Sequence, residues 1–219
     1  MTGPKPLATA NPWKQTWNSP TQRTQLIIGS ISIFTVLGLL PSFFKRIEKR
    51  SGIVLHDPIL AAIPPHNFSV LIFAIIWGMG LFIMYRVIKT PSMYITYVWS
   101  LLFITIVRLV TISLVPLNPP IGIVIISDPL TNLFYGETTV TKDLFFSGHT
   151  AMLVLITLCL EKRSDKILGF IATVVVGCLL LVQHIHYTMD VLAAPLFVYP
   201  LYRLAVYLLK KKRPSQKGD

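Results

Sequence analysis

Six long apolar stretches interrupt a more polar chain, at residues 26–44, 68–85, 93–115, 144–160, 167–185 and 188–209. In hydrocarbon a backbone N–H or C=O group finds no water, so each must be satisfied within its own segment, and every stretch is predicted to be a helix. The fourth, 144–160, falls short of the roughly 20 residues that a straight span needs. The third carries one charge, Arg108, and the sixth contains Pro195, Pro200 and Arg203. The expected fold class is therefore all-α, a polytopic six-helix transmembrane bundle. Residues 1–25 are expected to be a polar, interfacial lead-in, 26–209 the membrane domain, and 210–219 a basic cytoplasmic tail. The lead-in holds Pro4, Pro6, Pro12, Pro20, Trp13 and Trp17 and lacks the apolar core of a signal peptide, so 26–44 is expected to be a retained span.

Composition agrees with this pattern. The chain is 53% hydrophobic and only 13% charged, whereas a soluble domain carries about 25% charged residues. So few charges exclude an ordinary soluble domain, a disordered chain and a disulfide-rich scaffold. Cys159 and Cys178 both lie inside apolar stretches and are expected to be packing residues. The net charge of +11 suggests nucleic acid at first, but the basic side chains are dispersed among loops instead of gathered on a soluble face. Their distribution sets orientation, because cytoplasmic loops carry the excess of Lys and Arg. Six spans put on one side Lys5, Lys14, Arg23, Arg86, Lys89, Lys162, Arg163, Lys166, Lys210, Lys211, Lys212, Arg213 and Lys217. The other side receives Lys45, Arg46, Lys49, Arg50 and Lys142. Both termini are expected to be cytoplasmic, with the cluster from Lys45 to Arg50 standing against the rule.

With that orientation all five histidines (His56, His66, His149, His184, His186) fall at or near the non-cytoplasmic ends of spans, as do Asp57, Asp128, Glu137, Asp143 and Asp190. Histidine changes charge near neutral pH, so this face is the expected place of chemistry. Two segments are dense. Asp143-Leu-Phe-Phe-Ser147-Gly148-His149-Thr opens the fourth helix, where Ser147 is a good N-cap and the amides that follow form a phosphate-binding end. An interfacial turn would use the same residues. Gln183-His184-Ile-His186-Tyr-Thr-Met-Asp190 joins the fifth and sixth helices, and if this stretch is helical His186 and Asp190, four apart, share a face. A carboxylate there holds one ring nitrogen protonated and leaves the other as nucleophile or base; a helix-capping pair is the plainer alternative. Metal ligation by His184, His186, Asp190 and His149 is a weaker reading, since no explicit zinc-ligand spacing is present. Arg108 lies within snorkelling reach of the same face, and a planar guanidinium matches phosphate oxygens.

Ser-Gly-His on one helix, followed about 37 residues later by His and Asp four apart, resembles the lipid phosphatase/phosphotransferase (PAP2) superfamily. The longer strings around His149 and His186 resemble the signature blocks of its sphingomyelin synthase-like branch, and Arg108-Leu-Val-Thr111 followed by Pro116 is similar to a third block. The resemblance implies His186 as nucleophile, Asp190 as its orienting carboxylate and His149 as acid/base. Ser147, Gly148, Arg108, Asp143 and His184 would bind the phosphate or substrate. It implies no metal and no cofactor. The partners would be the bilayer, a phospholipid donor and a lipid-alcohol acceptor of the ceramide or diacylglycerol class. The chemistry would be transfer of a phospho-head group through a phosphohistidine. Two features depart from the hydrolase branch: no basic Lys…Arg-Pro block precedes Ser147, and Leu180 stands where that branch has an arginine. A phosphatase using water as acceptor is the next reading, and a non-catalytic lipid-binding or transport protein the third.

Overall fold

A computed structural model of the chain describes residues 11–125 and 140–211. The described residues form eight helices: α1 Pro12–Asn18, α2 Pro20–Glu48, α3 Pro58–Ala61, α4 Ser69–Lys89, α5 Pro91–Leu114, α6 Gly148–Cys159, α7 Arg163–Val182 and α8 Thr188–Lys211. Among them there is no strand, only an isolated parallel bridge between Ile53 and Leu117. Five helices (α2, α4, α5, α7 and α8) are long and apolar enough to cross a membrane. The predicted all-helical class is present, with five long apolar helices in place of the six expected. Asp128, Glu137, Lys5, Lys212, Arg213 and Lys217 lie outside the described residues.

The fourth apolar segment, 144–160, departs from expectation. Residues 144–147 are not helical, and α6 runs for only 12 residues, about 18 Å at 1.5 Å per residue. It packs on α4, α5, α7 and α8, and the segments at its two ends are shielded, with Leu144, Phe146 and Leu160 all at most 1% exposed. Irregular backbone at membrane depth is tolerated only where protein surrounds it, so an interior position is what permits so short a helix. Gly169 of α7 keeps the neighbouring helix close, since a Cβ there would lie 2.5 Å from the Thr157 hydroxyl oxygen.

Two other boundaries differ from the sequence-based ones. Helix α2 starts at Pro20 instead of residue 26, because proline at N1 supplies a preset φ and lacks an amide that would go unsatisfied anyway. The lead-in also contains α1, capped by Asn11, whose side chain accepts from the Trp13 amide at 3.0 Å. The Trp13 indole N–H donates to the Ile88 carbonyl, fixing α1 beside the end of α4. Helix α7 stops at Val182, and Gln183 to Tyr187 form a turn in which His184 takes a left-handed φ of 54°.

The long helices alternate in direction, so one end of the bundle gathers the end of α5, the starts of α4, α6 and α8, and the turn after α7. All five histidines lie at that end. Large apolar side chains such as Phe34, Val70, Leu81 and Leu196 point outward, as a lipid-facing surface requires.

Arg50, one of the four basic residues at 45–50, has a local role. The Arg50 guanidinium donates to the carbonyls of Ile112 and Ser113 at the end of α5, satisfying acceptors that the helix leaves without partners. Glu48 accepts from the Thr141 and Lys142 amides, each at 2.6 Å, and from the Thr141 hydroxyl at 2.9 Å. The Lys142 ammonium in turn donates to the Arg50 carbonyl. Arg50, Glu48 and Lys142 stitch α2 to α5 and to the irregular segment before α6, a purpose that a count of loop charges ignores.

Candidate active site

Three separate segments converge at the histidine end. The rings of His149, in the first turn of α6, and His186, in the α7–α8 turn, have centroids 6.2 Å apart and meet edge to face. His186 Nδ1 lies 3.4 Å from Asp190 Oδ2, and the same oxygen accepts from the Tyr187 amide at 3.0 Å. Both side chains of the pair are at most 2% exposed. A carboxylate fixed in this way holds Nδ1 as the protonated nitrogen and leaves Nε2 with its lone pair. Phe73 of α4 closes another side, with its ring 6.4 Å from that of His149.

The segments around Ser147 and Asp190 are tied to each other by backbone. The Ser147 amide donates to the Asp190 carbonyl at 3.0 Å, and Phe146 stacks on Phe197 of α8 with centroids 4.8 Å apart. Ser147 caps α6 as the sequence suggests: its hydroxyl oxygen accepts from the Thr150 amide at 3.4 Å and hydroxyl at 3.1 Å. The amide hydrogen and the hydroxyl oxygen of this wholly buried serine are therefore engaged within the fold.

Arg108 reaches the same place from α5. Its Nε donates to the Phe146 carbonyl at 3.0 Å and its Nη2 to Asp143 at 2.6 Å. Thr111, one turn on, donates from its hydroxyl to the Phe145 carbonyl at 2.9 Å. The guanidinium lies against Gly148, where a Cβ would come within 2.7 Å of both Cζ and Nη1. Only glycine lets the cation rest on the start of α6.

His184 faces elsewhere. Its Nδ1 lies 2.9 Å from the Ile121 carbonyl and its Nε2 2.9 Å from the Ile63 carbonyl. Carbonyl oxygens only accept, so both contacts become hydrogen bonds when the ring carries two N–H groups. With both nitrogens taken up, the ring serves as a tie between two covering loops and the α7–α8 turn, not as a group offered to phosphate. The expectation of His184 as a phosphate ligand finds no geometric support.

Supporting residues that the pattern of the chain did not single out are numerous. Gln183 is wholly buried; it accepts from the Phe68 amide at 3.0 Å and donates to the Ser69 hydroxyl at 2.7 Å. The Tyr187 hydroxyl donates to the Asn118 carbonyl at 3.0 Å and accepts from the Leu55 amide at 3.1 Å. Glu48 holds the two residues before Asp143. Each partner lies 60 or more residues away in sequence, so no local signal marks them. Asp57 is the exception: Asp-Pro is a helix-start signature, and Asp57 caps α3.

Asp57 also accepts from the Thr188 amide at 2.7 Å and hydroxyl at 3.1 Å, clamping the start of α8. Burial pushes its carboxyl up, but the Thr188 and Leu60 amides, the Thr188 hydroxyl and the Ile59 amide together hold it below its usual value. A carboxyl depressed in the folded state contributes stability that is fully present above its unfolded pKa, about 3.9, and is lost as pH falls through the lower folded value. Asp57→Ala is expected to destabilise the detergent-solubilised protein at pH 7 by about 1 kcal/mol. Thermal melts at pH 7 and pH 3 check this: the difference between wild type and variant shrinks at pH 3, and a difference unchanged by acid would remove the carboxylate clamp.

No curated protein matches the chain. Residues 142–207, which contain His149, His186 and Asp190, match the family model described as PAP2 superfamily C-terminal. The match falls on the segment that carries the paired histidines and Asp190, so over residues 142–207 the chain is similar to the PAP2 superfamily, a superfamily of lipid phosphatases and phosphotransferases.

Proposed function

We propose that the protein is a phosphotransferase of the sphingomyelin synthase-like kind, moving a phospho-head group from a phospholipid to a lipid alcohol at the non-cytoplasmic face. The observation that carries this reading is the approach of the His149 and His186 rings to 6.2 Å. A phosphorus atom attacked by one ring while its departing oxygen is protonated by the other needs two reaches of about 3 Å each.

The His186 Nε2 lone pair attacks phosphorus, and the bond to the donor's lipid oxygen breaks as His149 protonates that oxygen. The product is a phosphohistidine carrying the head group. His149, now neutral, removes the proton of the acceptor alcohol, whose oxygen attacks phosphorus and releases His186. Asp190 stabilises the His186 ring as positive charge develops on it. The first turn of α6 directs its dipole at the phosphoryl oxygens, with Arg108 alongside.

Charge favours a phosphodiester substrate over a phosphate monoester. Asp143 takes one N–H of Arg108 at 2.6 Å, which offsets the charge of that cation and so favours the substrate with fewer negative charges. The position where the hydrolase branch has a further arginine is Leu180, wholly buried in the apolar core.

Six crossings are proposed, with α6 completed by the shielded irregular segments at its ends, and both termini cytoplasmic. The excess of Lys and Arg at the end of the bundle opposite the histidines supports that orientation.

The test uses purified protein in vesicles with phosphatidylcholine labelled in the head group, with and without ceramide or diacylglycerol. A labelled new lipid that appears only when acceptor is added is the expected result. Water-soluble labelled head group released at the same rate with or without acceptor would make water the acceptor and replace transfer by hydrolysis. Intact donor in every arm would leave the lipid-binding reading.

A further inference from the structure

A cavity of about 440 Å³ opens at the other end of the bundle, away from the histidines. It exists because α6 stops at Cys159 and the chain leaves in extended form at Leu160, while α8 runs on to Lys211 and α5 starts alongside at Pro91. A helix one or two turns longer would fill the space.

The lining is two-faced. Leu158 and Val206 contribute apolar wall, and Lys166, Lys210, Tyr202 and Glu161 contribute polar groups. Two ammonium groups against one carboxylate leave the rim positive. Among the described residues the ion pairs are Arg86–Asp165, Arg108–Asp143 and His186–Asp190, and neither lysine takes part. The carboxylate adjacent to Lys166 in sequence, Asp165, is already engaged with Arg86 at 2.5 Å.

We infer that this cavity is a second lipid site, which binds the head group of an anionic phospholipid from the leaflet facing it. The ligand's phosphate lies between Lys166 and Lys210, and the upper part of a chain lies on the Leu158 and Val206 wall. The reasons are complementary charge and an apolar wall continuous with the membrane-facing helices. Basic pockets between transmembrane helices recognise anionic head groups in this way. A water-soluble anion would gain nothing from the apolar wall, and a neutral lipid nothing from the lysines. The site is separate from the histidine cluster and does not depend on the reaction proposed there.

Native mass spectrometry of the full-length protein in detergent tests the inference, with dioleoylphosphatidylglycerol titrated against dioleoylphosphatidylcholine and inorganic phosphate. Saturable retention of phosphatidylglycerol is expected, with weaker retention of phosphatidylcholine. Lys166→Gln with Lys210→Gln is expected to weaken binding about 30-fold, the loss of two basic contacts to an anionic head group. Lys166→Arg with Lys210→Arg should bind as wild type does, and so should His186→Ala. Both lysines are exposed, so these variants leave the packed core untouched. Val206→Trp, which fills the apolar side, should also lose the lipid. Equal retention of phosphatidylcholine would overturn the inference, as would wild-type affinity in the double glutamine or the tryptophan variant. Displacement of the lipid by equimolar inorganic phosphate would do so too, by reducing the site to a bare anion site.

Discussion

His186→Ala is expected to lower phospho-head-group transfer by on the order of 10⁴-fold or more, because no other group replaces a lost nucleophile in a covalent mechanism. His149→Ala should lose about 10²–10⁴-fold, the usual contribution of general acid–base catalysis. The two losses are distinguishable. An aryl phosphodiester such as p-nitrophenylphosphocholine has a leaving group that departs without a proton. With it, the His149 variant should still give a stoichiometric burst of nitrophenol and accumulate phosphorylated enzyme, whereas the His186 variant should give neither. Asp190→Asn keeps the shape of the buried pair but supplies an amide where His186 Nδ1 needs an acceptor, so the wrong tautomer is favoured and kcat falls by up to about 10⁴-fold. A burst from the His186 variant would transfer the nucleophile's role to another residue.

The second large effect concerns a contact rather than a catalytic group. Arg108 is anchored by the Phe146 carbonyl and Asp143 and lies flat against Gly148. Arg108→Ala is expected to cost about 10²–10³-fold in kcat, as loss of a positioned donor to the reacting oxyanion does elsewhere. Arg108→Lys should recover little, since an ammonium cannot make the bidentate fork. Gly148→Ala should act through the same cation: its methyl would sit 2.7 Å from the Arg108 Cζ, and two hydrogen bonds prevent the guanidinium from simply turning aside. The double variant should therefore be no worse than Arg108→Ala alone. Losses that multiply instead would mean that Gly148 serves α6 independently of Arg108.

The basic cluster at the end of α2 shows where counting along the chain falls short. By loop charge alone, residues 45–50 weigh against the orientation with cytoplasmic termini. In three dimensions Arg50 caps α5 and Glu48 binds the amides of Thr141 and Lys142, immediately before Asp143. Asp143 in turn holds Arg108. A chain of contacts thus connects α2 to the proposed phosphate cradle. Its longest link, from Glu48 to Lys142, spans 94 residues of sequence, beyond any periodic or motif signal.

What was legible in the chain is what depends on local chemistry. Apolar runs specify helices because hydrocarbon leaves unpaired backbone nowhere to go; the close spacing of His186 and Asp190 brings the pair within reach, although His186 sits in the turn before α8 and not on a helical face. Ser147 announces itself as a cap because capping is a three-residue event. Tertiary structure alone decided how long α6 is, since shielding by four neighbouring helices is what makes its irregular ends tolerable. It also decided that the two histidines meet, that Gly148 must lack a side chain, and that His184 braces loops while His186 faces His149. Those outcomes depend on packing between segments far apart in the chain, where the free energy of a contact is set by the shape of its partner and not by the residue's own neighbours.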